Sequence, residues 1–397
     1  MKLDEFKEEI YKCSGCGLCQ SVCPVYKILK QECAVSRGKF KLLNAIVNRE
    51  IGFSKKTLEI MDMCLHCQAC SEFCPSGIDA QKIIEAAQSD MLDLNIRNNF
   101  KVFLSRIFKQ KPLLFLGSFF ISLVRSSFIL DFMASLGIKK AELCRDFLKR
   151  KVRPLRKKSN LKKEIKAIFF KGCINTYLNS SSANAVYKIF DKTKVEVIDC
   201  EFSCCGLPMK SSGDEKSFIQ LAKNNLDKLP EDFDYLIFDC QSCKSTFLEY
   251  VRVLEGDYKQ KALNISQKCI SVYGLLEKIN YLPKKQWKHS TVTVHYPCHT
   301  RFSEDEKIMR NLLEKIPNIT FIEAENSKEC CGAAGSFILL NNDLSKQISR
   351  KKAQGIIKTG ANMVVTSCPS CFLGIKQGLL QEQSSIKVMQ LIEFLAQ

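Results

Sequence analysis

The 397-residue sequence lacks any run of about 20 apolar residues, the length needed to span a bilayer. Its longest apolar run, Pro112 to Val124, is closed by Arg125. Just before it, Phe100, Val102, Phe103, Leu104, Ile107 and Phe108 recur at helical spacing among Lys101, Arg106 and Lys109. Together these predict two amphipathic or buried helices. They read either as a hairpin packed on its own domain or as a face for a membrane surface or a partner. The first residues, MKLDEFKEEIYK, carry acids and no apolar core, so a secretory signal is not expected. No G-x-G-x-x-G follows a strand-like run. A flavin or nicotinamide fingerprint is therefore missing, and the chain is not expected to oxidise an organic substrate by itself. The formal charge is +18, but no aromatic interleaving or binding motif accompanies it, which excludes nucleic acid as the partner. Basic residues concentrate between Lys149 and Lys166. That stretch reads as a solvated linker, with anionic lipid or an acidic partner as the alternative contact.

What the sequence has in excess is cysteine, 22 in all. Hydrophobic content of 46% and charged content of 26% are ordinary for a globular chain, long enough for two to four domains. Without export the thiols stay reduced, and clustered thiols then read as metal ligands rather than disulfides. Two twelve-residue motifs stand near the N-terminus, CSGCGLCQSVCP (13–24) and CLHCQACSEFCP (64–75). Both have the C-x2-C-x2-C-x3-C-P spacing of two-cluster ferredoxins, in which three cysteines wrap one cubane and the fourth ligates the other. By that rule one [4Fe–4S] cluster takes Cys13, Cys16, Cys19 and Cys74, and the second takes Cys64, Cys67, Cys70 and Cys23. The fourth cysteine of each motif is expected to open a short helix, and Pro24 or Pro75 to bend the chain away. Gly15 and Gly17 suit a loop whose amides approach sulfide. Zinc would need only four cysteines in pairs. His66 lies inside the second motif and reads as exposed or as a support to the ligands. Residues 24–63 form an insertion with a helix, in which Arg37 is expected to make a structural salt bridge.

From about residue 161 the sequence repeats itself. Cys173, Cys204-Cys205-Gly206 and Cys240-x-x-Cys243 recur as Cys298, Cys330-Cys331-Gly332 and Cys368-x-x-Cys371, at offsets of 125, 126 and 128 residues. Strand-like runs at 166–171, 195–199 and 235–239 have counterparts at 291–296, 319–323 and 362–366, with helical patterns such as 183–191, 304–315 and 344–358 between them. Alternating strands and helices predict α/β units with a parallel sheet, whose sites lie at the carboxyl ends of strands. Cys173, Cys240, Cys298 and Cys368 each follow a strand. Adjacent thiols such as Cys204-Cys205 suit bridging between irons or redox chemistry at sulfur. The plainer alternative is a cysteine pair used as small apolar filler. The glycine after each pair allows the tight turn. Fold and domain expectations follow: an α+β chain with a helical two-cluster ferredoxin-type domain over residues 1–95, a helical basic linker over 96–160, and a duplicated α/β domain over 161–285 and 286–397.

The duplicated unit resembles the CCG domain of heterodisulfide reductase subunits and their relatives. The whole architecture resembles the iron–sulfur subunits of glycolate oxidase, with the corresponding subunit of anaerobic glycerol-3-phosphate dehydrogenase as a close relative. ECAVSRGKFKLLNAI (32–46), CPSGI (74–78) and CCGAAGSFILLNNDLSKQI (330–348) look more like the glycolate oxidase type. FKGCINTYLN (170–179) and CCGLPMKSSG (204–213) look at least as similar to the glycerol-3-phosphate type, and VVTSCPSCFLGIKQG (364–378) keeps a full CxxC. The resemblance implies additional, noncubane iron–sulfur clusters bound by Cys173, Cys204, Cys205, Cys240 and Cys243, and by Cys298, Cys330, Cys331, Cys368 and Cys371. It implies a supporting place for His299 in the HYPCH stretch. It also implies an FAD-containing dehydrogenase partner acting on a 2-hydroxy acid such as glycolate or lactate, and a quinone or membrane acceptor. The alternatives are a glycerol-3-phosphate dehydrogenase subunit and a thiol–disulfide enzyme. No catalytic residue is assigned, and the expected location is cytoplasmic or peripheral on the inner face of the membrane. Cys33, Cys144, Cys200 and Cys269 receive no ligand role.

Overall fold

The computed structural model describes residues 2–110, 114, 162–177, 180–283 and 290–397. The apolar run from Pro112 and the basic stretch up to residue 161 lie outside these residues, apart from Leu114. No described helix is long and apolar enough to cross a membrane.

The N-terminal domain is helical. Helix Ala80–Asp93 begins where the Asp79 carboxylate accepts the Lys82 amide (3.4 Å), which satisfies a donor that the first turn leaves free. Ile83, Ile84, Ala87 and Met91 recur on one face and bury against Phe40 and Leu43 of helix Ser36–Val47 and Met61 of helix Lys55–Asp62. Full burial of each such large side chain is worth about 1.5–3 kcal/mol. The insertion between the motifs thus holds three helices, with Pro24–Leu29 the first of them, and they form the wall on which both cysteine loops rest. Of the two helices predicted after this domain, the first spans Asn99–Lys109, capped by Asn98. The second falls outside the described residues.

The duplication is visible in the topology. Strands β1 (Ile165–Phe170), β2 (Val195–Asp199), β3 (Tyr235–Phe238) and β4 (Cys269–Ser271) form one parallel sheet of order β2-β1-β3-β4. Strands β5 (Ser290–His295), β6 (Ile319–Phe321), β7 (Met363–Thr366) and β8 (Lys387–Gln390) repeat it as β6-β5-β7-β8. Six of these strands match the predicted runs. The edge strands β4 and β8 were not anticipated, because three or four residues are too few for a periodic pattern to register.

The two copies do not sit side by side as separate beads. Helix Ser180–Phe190 of the first copy packs on Leu391–Leu395 of the second, and Val272–Lys278 of the first packs on Asp305–Glu314 of the second. These helices are counterparts in the repeat, so each copy offers the long helix between its first two strands to the other's last helix, as in a self-complementary dimer interface. Two apolar cores run through both copies: one joins Phe170, Phe238 and Phe247 to Ile375 and Leu379, the other Phe169 and Val186 to Val294 and Leu391.

Candidate metal centres

The ferredoxin-type domain encloses two cavities. Cys13, Cys16, Cys19 and Cys74 line the first, together with Cys70. Cys23, Cys64, Cys67 and Cys70 line the second. The fourth cysteine of each motif therefore stands with the other motif's loop, in the arrangement that the spacing predicts. Cys23 opens helix Pro24–Leu29, and its sulfur accepts the Tyr26 amide at 3.5 Å. Cys74 does not open a helix: the chain turns at Gly77 (φ +65°) and becomes helical only after Asp79. Gly15 and Gly17 have φ of +71° and +85°, and the same two places in the second loop are held by His66 and Gln68 at φ of +51° and +59°. Both loops thus share one left-handed path, although only the first uses glycine for it. Gln68 is tied there by its amide to Gln81 (2.7 Å). Arg37 pairs with Glu32 and donates to the Gly15 carbonyl (3.1 Å), so the expected salt bridge also steadies the first loop. His66 is not exposed: its Nδ1 lies 3.6 Å from the buried Glu85 carboxylate, and burial holds its pKa well below the ordinary value.

The chemistry of the donors fits iron–sulfur clusters. Every described cysteine is a free thiol. Burial pushes the Cys64 thiol up to about 11 and the Cys70 thiol higher, so as neutral groups they have little to gain from water, whereas a bound iron would hold them as thiolates.

In the duplicated domains nine of the ten predicted cysteines are buried, and Cys173 is half-buried. The strand-to-helix junctions bring them together. Cys240 precedes helix Gln241–Leu248 and Cys368 precedes helix Pro369–Gln381, so both sulfurs stand at helix N-termini, where the dipole favours thiolate. Gly206 and Gly332 follow the cysteine pairs at φ of +94° and +82°. A side chain at the first would strike Phe218 (2.4 Å), and one at the second the Ser345 carbonyl (2.9 Å).

The thiols form one unbroken row. Cys67 of the second ferredoxin motif neighbours Cys298. From there contacts run through Cys330, Cys331, Cys371 and Cys368. Cys368 touches Cys240 of the other copy, and the row continues through Cys243 and Cys205 to Cys204. Cys173 closes it, 3.7 Å from Cys204. Within it, the hydrogen bonds from Cys330 and Cys371 hold Cys331 well below the ordinary thiol pKa, and those from Cys240 and Cys371 do the same for Cys368. Cys205, in contrast, is pushed up by Cys204. The Ser242 hydroxyl lies 3.0 Å from His299 Nδ1 and 3.5 Å from Cys368 Sγ, which puts His299 in the supporting place expected of it.

Three features escaped the sequence reading. A buried ion triad joins Lys210 to Glu85 of the ferredoxin-type domain and to Glu249. Burial raises the Glu85 pKa to about 7, and the two carboxylates raise that of Lys210 against its own burial. His295 lies within 4.8 Å of Cys331 and Cys371. Cys200, given no ligand role, lines a cavity of about 310 Å³ with Cys173 and Cys204. None has a spacing signal, because each partner comes from a different part of the chain.

A 4Fe-4S dicluster domain model matches residues 9–78, and a cysteine-rich domain (CCG) model matches twice, at 167–248 and 292–376. The probable glycolate oxidase iron-sulfur subunit of Bacillus subtilis is 26% identical over 97% of this chain and 94% of its own length. The glycolate oxidase iron-sulfur subunit of Escherichia coli is 24% identical over 90% of this chain and 88% of its own. The dihydromethanophenazine:CoB–CoM heterodisulfide reductase of Methanosarcina acetivorans has a subunit that is 22% identical over 98% of this chain and 94% of its own length. A solved structure of a hypothetical protein from Helicobacter pylori superposes with a TM-score of 0.53 at 11% identity, over 90% of this chain and 67% of that one, a likeness of fold. The chain therefore carries iron–sulfur clusters and belongs to the redox proteins that join a 4Fe-4S dicluster domain to a pair of CCG domains, similar over nearly its whole length to glycolate oxidase iron–sulfur subunits.

Proposed function

We propose that this chain is the electron-carrying subunit of a 2-hydroxy-acid dehydrogenase complex, taking electrons from an FAD-containing partner and passing them towards a quinone or membrane acceptor. In this reading Cys13, Cys16, Cys19 and Cys74 hold one cubane and Cys64, Cys67, Cys70 and Cys23 the other. The ten CCG cysteines hold further clusters, within domains bounded near residues 95, 160 and 285. A cubane carries one electron at a time and so divides the pair that a reduced flavin holds.

The observation that carries the proposal is the unbroken row of thiols. It leaves the second ferredoxin motif at Cys67, enters the second CCG copy at Cys298, crosses to the first copy at Cys240 and ends at Cys173. Its ends differ from its middle in exposure. Its ends, Cys67 and Cys173, are half-buried, the cysteines between them are buried, and Cys16 of the first motif, outside the row, is exposed. Entry at the first motif and exit at Cys173 suit that pattern. Phe108, Leu114, Tyr177 and Phe202 wall the cavity beside Cys173, which suits a flat lipophilic acceptor. The test is cluster reduction followed by visible absorbance under anaerobic conditions. Glycolate or lactate is expected to bleach the clusters only when the flavoprotein partner is present, and bleaching by substrate with the purified chain alone would sink the proposal.

A second reading, thiol–disulfide chemistry at the CCG sites, draws on a cleft of about 520 Å³ among the three domains. Lys82, Lys244, Arg252 and Arg301 line it and His299 reaches into it. Asp79, Glu249 and Asp305 share that lining, and with Lys82 paired to Asp79 and Lys244 to Asp305 it is Arg252 that would meet an anionic disulfide, whose turnover would disappear in Cys330→Ser.

A further inference from the structure

We infer that His295 is a metal ligand of the second CCG centre, giving that centre a nitrogen donor that the first one lacks. The inference rests on the reading that both CCG sites hold iron–sulfur clusters.

His295 ends strand β5 and is fully buried. Its Nδ1 lies 3.1 Å from the Ser327 carbonyl. A carbonyl only accepts, so Nδ1 carries the ring hydrogen and Nε2 carries the lone pair. That carbonyl is itself held by Lys352 Nζ at 3.0 Å, which fixes the plane of the ring. Nε2 is buried, with the Cys331 thiol as its neighbour and no nitrogen or oxygen partner among the described residues. A ring nitrogen of His295 and the sulfurs of Cys331 and Cys371 all lie within 4.8 Å of one another. An imidazole anchored to a backbone carbonyl through one nitrogen, with its other nitrogen beside cysteine thiols, has the arrangement of a metal-binding histidine.

The repeat supplies an internal control. His295 sits opposite Thr366 on β7, and the same place on β1, opposite Phe238 on β3, is Phe170. Phe170 packs its ring against Phe202, Phe238 and Phe247 and offers no donor. The two centres therefore share five cysteine positions and differ at one ligand position. The nitrogen is thus added to the five thiols and replaces none of them, so the two centres would carry the same charge and differ in composition.

The test uses the full chain with its clusters assembled, in two arms. Iron and sulfide are counted in the wild type and in Cys331→Ser/Cys371→Ser. Equal counts would remove the second CCG cluster, overturning the underlying reading and this inference with it. Fewer in the variant supports the reading, and pulsed EPR of the reduced protein then decides the ligand. A directly bound nitrogen coupling is expected in the wild type, altered by 15N-histidine labelling, lost in His295→Phe and kept in His299→Ala. The signals of the two cubanes are expected to be unchanged in both variants. With the iron present, a wild type without nitrogen coupling, or coupling that survives His295→Phe, overturns the inference and leaves the reading standing. Because labelling acts on the wild type and His299→Ala removes the other histidine beside the CCG thiols, the outcome does not depend on whether His295→Phe folds.

Discussion

The two CCG copies share a sheet order and a cysteine pattern, yet they meet the ferredoxin-type domain by opposite means. The first copy does so with charge: Lys210 lies buried between Glu85 and Glu249. The second does so with apolar packing, in which Val25, Ala34 and Leu65 around the second cysteine loop close on Cys298, Cys330, Phe337 and Ile348. Its ion pairs, Arg301 with Glu72 and Lys27 with Glu329, are partly exposed. The thiol row crosses into the CCG domains at the apolar contact and not at the charged one. An apolar seam lets Cys67 and Cys298 approach without water. A buried triad fixes orientation, because one cation must face two carboxylates at once.

That contrast can be broken by mutation. Lys210→Met leaves the buried Glu85 and the half-buried Glu249 facing each other without their cation and is expected to cost about 3–5 kcal/mol. Arg301→Met removes a pair with a partly exposed partner and the bonds to the Cys67 and Lys328 carbonyls, and is expected to cost less, about 1–3 kcal/mol. Urea unfolding of the two variants checks the order, and equal costs would dissolve the distinction between the interfaces.

The charged interface should also be the pH-sensitive one. Glu85 has a folded pKa of about 7 against an ordinary value of 4.5. Between these values the unfolded chain has released the proton that the folded chain keeps, so stability falls as pH rises from about 4.5 to 7 and levels off above. Glu85→Gln removes this contribution. Its urea midpoint is expected to gain on the wild type between pH 5.5 and 7.5, and a constant gap would refute the assignment.

The smallest effect compares the turn glycines. Alanine at Gly206 or Gly332 must adopt a left-handed backbone, at about 1–2 kcal/mol each. Gly332→Ala is expected to cost more, because its added carbon meets the Ser345 backbone carbonyl, whereas that at Gly206 meets the Phe218 ring, which can turn. Thermal melting of the pair measures the difference.

Much of the site was legible before the fold. Cluster loops are local, so the spacing Cys13, Cys16, Cys19 and Cys64, Cys67, Cys70 carries their geometry, and the crossing of Cys23 and Cys74 follows from the same loop. The repeat likewise announced itself, since its cysteines follow strands whose apolar runs are long enough to read. The exceptions have physical causes. Cys74 does not open a helix because Gly77 turns the chain first, and β4 and β8 are too short to show a period. His66 and Gln68 take left-handed places with side chains set against Glu85 and Gln81 of helix Ala80–Asp93.

By itself, then, the sequence determined the chemistry of the donors and the local shape of each loop, both of which depend on a few consecutive residues. Only the tertiary structure decided which donors meet. The contact of Cys240 with Cys368, the passage from Cys67 to Cys298, the Lys210 triad and the facing of His295 to Cys331 and Cys371 all join residues from separate elements. Their meeting depends on how each copy packs the long helix between its first two strands on the other's last helix, and no spacing along one chain records that choice.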